Sequence, residues 1–305
     1  MGFQEVYLHA LSLVPSNSIV VPLFHQISST RLKNELDEDI YELFFKETSN
    51  KNHLKKLTYL EKRKSSGWNL TNEGKFINLL WRSGKINIHR DENFKKIFNL
   101  ASPINQTDSF NKEKLRNLWV KQLILIAFEN IGVATFNDIK NYFGLKNKEM
   151  APIFNSLLQE KVICSLDNSG TEELFILLTD LPYLDKEIKR ESFPSCTFLS
   201  PFDNLIRERK RLANIFNFDY ILESYIKKEK RIYGYYALPI LINEDIVGTI
   251  DLKFNRKENV LYIEKLILNE NYSKYKHVEI ILEELKSFTK FVKADTYKFS
   301  DSSII

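Results

Sequence analysis

The spacing of apolar residues changes once along this chain, and that change constrains the fold more than any single motif. Residues 115–130 and 147–161 carry apolar side chains at helical intervals, whereas from Tyr220 onward the apolar period is two. Helices therefore occupy the first part of the chain and an antiparallel sheet the last part. The expected class is α+β.

The helical part repeats an order of elements. Residues 115–130 form an apolar helix, and "TFNDIKNYFG" forms a second one, opened by Thr135 and stopped by Gly144. A third helix, "NKEMAPIFNSLLQEK", precedes two apolar runs, "VICSLDNSGTEELFILL", around a glycine-containing turn, which is a hairpin. Helix, short helix, helix, hairpin is a winged helix. An earlier partial copy begins behind a Thr71 cap, with Phe76, Leu79 and Leu80 at helical spacing, and continues after Gly84 in the strands "KINIHR" and "FKKIFNL". Tandem winged helix-turn-helix units are thus expected at 56–110 and 111–192, ahead of an antiparallel β-domain at 193–305.

Four segments with period two fill that last domain: "YILESYI", "KRIYGYYALPILI", "IVGTIDLKF" and "VLYIEKLIL". In the third, Ile250, Leu252 and Phe254 share one face and Thr249, Asp251 and Lys253 the other, so one side is core and the other wet. The amphipathic helix "VEIILEELKSFTKFV" covers the apolar face, and the tail "DSSII" is expected to fray.

Charge and cysteines narrow the function. Net charge is only +4, but cations cluster in "KKLTYLEKRK", "RERKR" and "KKEKR", where they fit either phosphates or a solvated face. Cys164 and Cys196 lie in apolar surroundings without a CxxC pattern, as buried free thiols; no metal site or disulfide framework is implied. The start "MGFQEVYLHA" lacks the order of a signal peptide, and the expected location is cytoplasmic. In a winged unit the third helix faces a groove and the hairpin touches the neighbouring one. Lys75, Arg82 and Arg90, with Thr71 and Asn72, are the DNA-binding candidates of the first unit, and Lys146, Asn147 and Lys148 those of the second. Winged helices also serve as protein-interaction modules, so a scaffold remains the alternative.

Islands in the C-terminal half resemble the winged-helix crosslink-repair DNA glycosylases, the YcaQ and AlkZ group. They are "LSPFD" at 199–203, the basic run at 207–211, "FNFDY" at 216–220, "KRIYGYYALP" at 230–239 and "VGTIDLKFNRK" at 247–257. Upstream, "YLHALSLVP" at 7–15 is similar to the family's Trp-Ala-His block, and "GWNLTNEGKFINLLWRSGKINIHR" to its middle winged helix. Residues 1–55 are then expected to be a helical remnant around that block. The resemblance implies hydrolysis of the N-glycosidic bond of alkylated or crosslinked purines in double-stranded DNA, with no metal or organic cofactor.

It also adds DNA-binding candidates: Arg207, Arg209, Lys210 and Arg211 in the basic run, and Lys230, Arg231, Tyr233 and Tyr235 on what reads as a β element. Lys253 joins them on the wet strand face. Family members carry a Gln-x-Gln or Gln-x-Asp motif in a winged helix ahead of the Trp-Ala-His block, and neither Gln4 nor Gln26 matches it, so the expectation is a relative without that catalytic head. A non-catalytic DNA-binding regulator is the alternative, and no catalytic residue is assigned. Asp203, Asp219, Glu223 and Asp251 read as structural carboxylates, Asp203 and Asp219 at capping and turn sites and Asp251 as the partner of Lys253 in an ion pair, and His9 reads as a core histidine.

Overall fold

A computed structural model describes residues 3–8, 11–15, 17–32, 72–93, 95–100, 111–166, 172–184, 196–269 and 274–300. The chain falls into two units, Met1–Leu178 and Thr179–Ile305.

The first unit opens with a hairpin, β1 (Phe3–Tyr7) and β2 (Leu11–Pro15), followed by helix α1 (Val20–Leu32). The expectation of a helical remnant over residues 1–55 is corrected for residues 3–7 and 11–15, which form strands, while residues 33–55 lie outside the described residues. Val6 and Glu5 of β1 are both buried, and the Glu5 backbone carbonyl accepts from Trp81 Nε1 at 3.1 Å. That indole ties the hairpin to helix α2 (Asn72–Arg82), from which strands β3 (Ile86–Arg90) and β4 (Lys96–Leu100) continue as an antiparallel pair. Ile77, Leu80 and Trp81 of α2 are buried, as the helical spacing of that segment requires.

Helix α3 (Lys112–Ile131) comes next, then β5 (Ala134–Thr135), α4 (Phe136–Tyr142), α5 (Asn147–Gln159), β6 (Ile163–Leu166) and β7 (Leu174–Leu177). Thr135 caps α4 through a reciprocal pair: its Oγ1 accepts from Asp138 N, and the Asp138 carboxylate accepts from Thr135 N. Gly144 has φ +63 where the chain leaves α4, as the stop signal demands. The three strands pair in the order β5-β7-β6. Phe128 of α3, Phe154 of α5 and Phe175 of β7 belong to the buried cluster that also contains Val6 and Leu80, so all these elements of the first unit share one core.

The second unit is a five-stranded sheet in the order β12-β11-β10-β9-β8, formed by β8 (Cys196–Phe198), β9 (Ala237–Ile242), β10 (Asp245–Asn255), β11 (Val260–Leu268) and β12 (Thr296–Phe299). Helix α6 (Arg209–Phe216) precedes the sheet's centre, and α7 (Lys274–Phe291) follows it. Three pairings are antiparallel, as expected, but β12 lies parallel to β11. Neither β8 nor β12 stands out by period two, because each is only three or four residues long.

Two expectations about this sheet are corrected. "YILESYI" forms no strand, and "KRIYGYY" precedes β9 as a loop rather than opening it. Two of the three residues of the expected wet face of β10 are also buried, Thr249 at 1% and Asp251 at 6% exposure, while Lys253 is exposed. One face packs Ile250, Ile263 and Leu266 against Ile281 and Leu285 of α7, while residues 199–220, with Ile206, Leu212 and Tyr220 buried, form a separate core with Ile246. A strand covered on both sides loses its polar alternation. A bulge between Ile246 and Gly248 changes which face each side chain serves, and Gly248 stands where a Cβ would run into the Ile267 carbonyl.

Candidate nucleic-acid interface

The segment between α6 and β9 concentrates the candidate residues of the second unit. Its backbone is held by two buried carboxylates. Glu223, 5% exposed, accepts from the backbone N–H groups of Ile232 (2.9 Å), Tyr233 (2.7 Å) and Gly234 (3.1 Å). Asp251, 6% exposed, accepts from Tyr235 (2.6 Å) and Tyr236 (3.2 Å).

Five consecutive amides thus point at side chains instead of at a neighbouring strand. That is why the period-two reading fails here: strand pairing needs those donors, and the carboxylates have taken them. Charge-assisted bonds of this kind are about twice as strong as neutral ones. Gly234 makes the arrangement possible, since its φ is +134 and any Cβ there would fall on the Asp251 carboxylate. Asp251 is therefore not the ion-pair partner of Lys253; it serves the loop, and Lys253 is exposed further along β10.

Tyr220 secures the end of the loop. Its hydroxyl donates to Ala237 O at 2.6 Å, and burial pushes its pKa up to about 12 against the opposing pull of Arg209, so it remains a donor. The Arg209 guanidinium lies 4.5 Å from the centre of the Tyr220 ring and donates to the carbonyls of Ile206 and Pro201. Arg231 donates from Nε to Ile226 O at 2.8 Å and stacks over Tyr235 at 4.9 Å. Asp203 does cap its turn, accepting from Leu205 N at 2.9 Å.

Between these anchors the loop shows water an unusual pair of faces. Lys227, Lys228 and Lys230 are exposed, the last two on a short 3-10 turn. Beside them in sequence, Tyr225 is 88% exposed and Ile232 64%.

A protein-family model described as DNA glycosylase AlkZ-like matches residues 33–290, a span that includes the whole of this loop. The chain belongs to the AlkZ-like DNA glycosylase family. Among solved structures it is similar to the Streptomyces sahachiroi DNA glycosylase AlkZ, with a TM-score of 0.54 at 13% identity, covering 98% of this chain and 82% of that one. At that identity the likeness is one of fold: a mixed α/β chain with helices and antiparallel sheets.

In the AlkZ-like chain the remaining candidates are scattered by comparison. Arg207, two residues ahead of α6, and Arg211 within its first turn are half-buried, and Lys210 is exposed. In the first unit, Arg90 donates from Nε to the buried Glu5 carboxylate, and the Arg82 carbonyl faces His25 Nδ1 at 3.3 Å. Lys75 lies in α2, but its side chain is outside the described residues, as are Thr71 and His9. Lys146, Asn147 and Lys148 are exposed at the first turn of α5, beside a Glu149 carboxylate whose pKa the Arg116 guanidinium holds down.

Sequence reasoning found the cations and tyrosines of the loop but missed its frame. The available signal was the pairing of a glycine inside "IYGYY" with an acid inside "GTIDLK", because a buried acid on a doubly covered strand must find donors. It also missed the exposed Tyr225 and Ile232. Among the described residues no cluster of His, Cys, Asp and Glu has metal-binding geometry, and no helix is long and apolar enough to cross a membrane.

Proposed function

We propose that this chain binds damaged double-stranded DNA and hydrolyses the N-glycosidic bond of alkylated or crosslinked purines. The observation that carries this reading is the family match over residues 33–290, which spans the cationic loop and the basic run at the start of α6. The helix, short helix, helix and hairpin of residues 112–177 support a winged helix, with the exposed cations of α5 turned to phosphates. The α2-β3-β4 segment is proposed as the second such unit.

Hydrolysis of a cationic alkylated purine requires little from the protein. The base already leaves well, and what remains is to position a water molecule and to stabilise the oxocarbenium-like sugar, with acid-base help worth roughly a hundred- to ten-thousand-fold. The two buried carboxylates of the loop hold backbone amides, three at Glu223 and two at Asp251, and read as structural groups. No catalytic residue is assigned, because neither Gln4 nor Gln26 matches the Gln-x-Gln or Gln-x-Asp motif that the family resemblance implies. A second reading, a non-catalytic DNA-binding protein, follows from that mismatch at Gln4 and Gln26.

Single-turnover incubation with duplex DNA carrying one 7-methylguanine, followed by alkali to cut abasic sites, separates the two. Strand cleavage above the spontaneous rate is the expected result. Binding without cleavage would establish the second reading, and absence of binding would sink both.

A further inference from the structure

The DNA reading leaves one feature of the loop unexplained. Phosphate contact accounts for Lys227, Lys228 and Lys230, but not for Tyr225 and Ile232 standing in water. Isolated exposed apolar residues are ordinary on protein surfaces, and they become informative when a rigid support holds them beside charges.

That support is present. Glu223 accepts from Ile232 N, and Ile226 O accepts from Arg231 Nε, so residues 223–232 are closed into a ring by two side-chain bonds. Within the ring, Ile226 N donates to Glu223 O and Lys230 N to Lys227 O, two tight turns that leave little freedom. The Tyr225 side chain, 88% exposed, emerges from the first turn and the lysines from the second. Ile232, 64% exposed, sits at the closure itself. Holding apolar side chains in place before contact removes the ordering cost of binding.

An apolar tip beside three lysines, with Glu229 between two of them, fits a polyanion with exposed apolar faces, which on the DNA reading of this chain is a nucleic acid. Intact duplex offers the anion but hides its base faces in the stack. A duplex with an interrupted stack offers both, and opening it costs least where a base is damaged or missing. Resting on the reading of this chain as a DNA-binding protein, we infer that the 223–232 ring is a discriminating contact: its lysines hold the phosphates while Tyr225 and Ile232 enter the gap at a disrupted base pair. Tyr225 supplies a ring on which an unstacked base can lie, a contact that tolerates any base identity.

The test compares two short duplexes by fluorescence anisotropy in the full-length protein, one intact and one carrying a central tetrahydrofuran abasic analogue. The wild type is expected to prefer the interrupted duplex by about ten-fold, the scale of one base–aromatic stacking contact. The double variant Tyr225→Ser/Ile232→Ser is expected to lose most of that preference while keeping its affinity for the intact duplex within about two-fold. Both side chains point into solvent, so circular dichroism should show an unaltered fold. The triple variant Lys227→Gln/Lys228→Gln/Lys230→Gln should instead weaken both duplexes and leave their ratio unchanged. A ratio unmoved by the double variant, with DNA binding intact, overturns the role of the tip alone. Failure of the wild type to bind either duplex overturns the DNA reading and the tip with it.

Discussion

The loop depends on single atoms at Gly234. A side chain there meets two obstacles at once, a φ of +134 and the Asp251 carboxylate. Gly234→Ala should cost roughly 1–3 kcal/mol in urea unfolding, with the intensity of Tyr fluorescence changing before global unfolding. Alanine tolerated without loss would show that the amides of 232–236 do not need this path. His25 allows a test of the first unit. It is buried against the Arg82 carbonyl, and burial lowers its pKa below the usual value of about 6.5. The unfolded chain then binds the proton more readily than the folded one. Stability from this residue is complete above about pH 6.5 and declines as pH falls from there toward the depressed folded value. Urea midpoints measured between pH 7.5 and pH 5.5 should fall more steeply for the wild type than for His25→Gln. Cys196 should be slow to react with iodoacetamide at pH 8, because burial, reinforced by Glu284, pushes its thiol up to about 12.

Elements form here for reasons of different range. The α4 helix is settled locally: the Thr135–Asp138 capping pair and the Gly144 exit are all within ten residues. Thr135→Ala should therefore cost about 1 kcal/mol, seen in the thermal midpoint, and Thr135→Ser should restore most of it. Those signals are visible in sequence, and α2, α3, α5 and the β6-β7 hairpin were legible from the same kind of spacing. The loop 221–236 was not. Its alternating aromatic residues fit a strand, and only the arrival of Glu223 and Asp251 beside the same amides turns it into a ring. The bulges of β10 are equally invisible in sequence, because each is a mismatch between two strands rather than a property of either.

Across the whole molecule, composition says little about DNA, since a net charge of +4 in a chain of this length is modest. Local placement matters more. Binding to duplex should weaken log-linearly with salt, with a slope of about −0.9 per phosphate neutralised. Replacing Arg207, Lys210 and Arg211 with Gln should flatten that slope by as much as about 2.7. Arg209 is left out of the set because it holds two backbone carbonyls and the Tyr220 ring. An unchanged slope would remove the basic run from the interface. By itself the sequence determined the class of fold, the order of most elements, the basic runs and the family resemblance, because those rest on period, spacing and short ordered islands. Tertiary structure alone decided that both faces of β10 are covered, that the tyrosine-rich segment is a carboxylate-held loop, and that Tyr225 and Ile232 face water. Each of those depends on which groups far apart in the chain compete for the same hydrogen-bond donors or the same buried space.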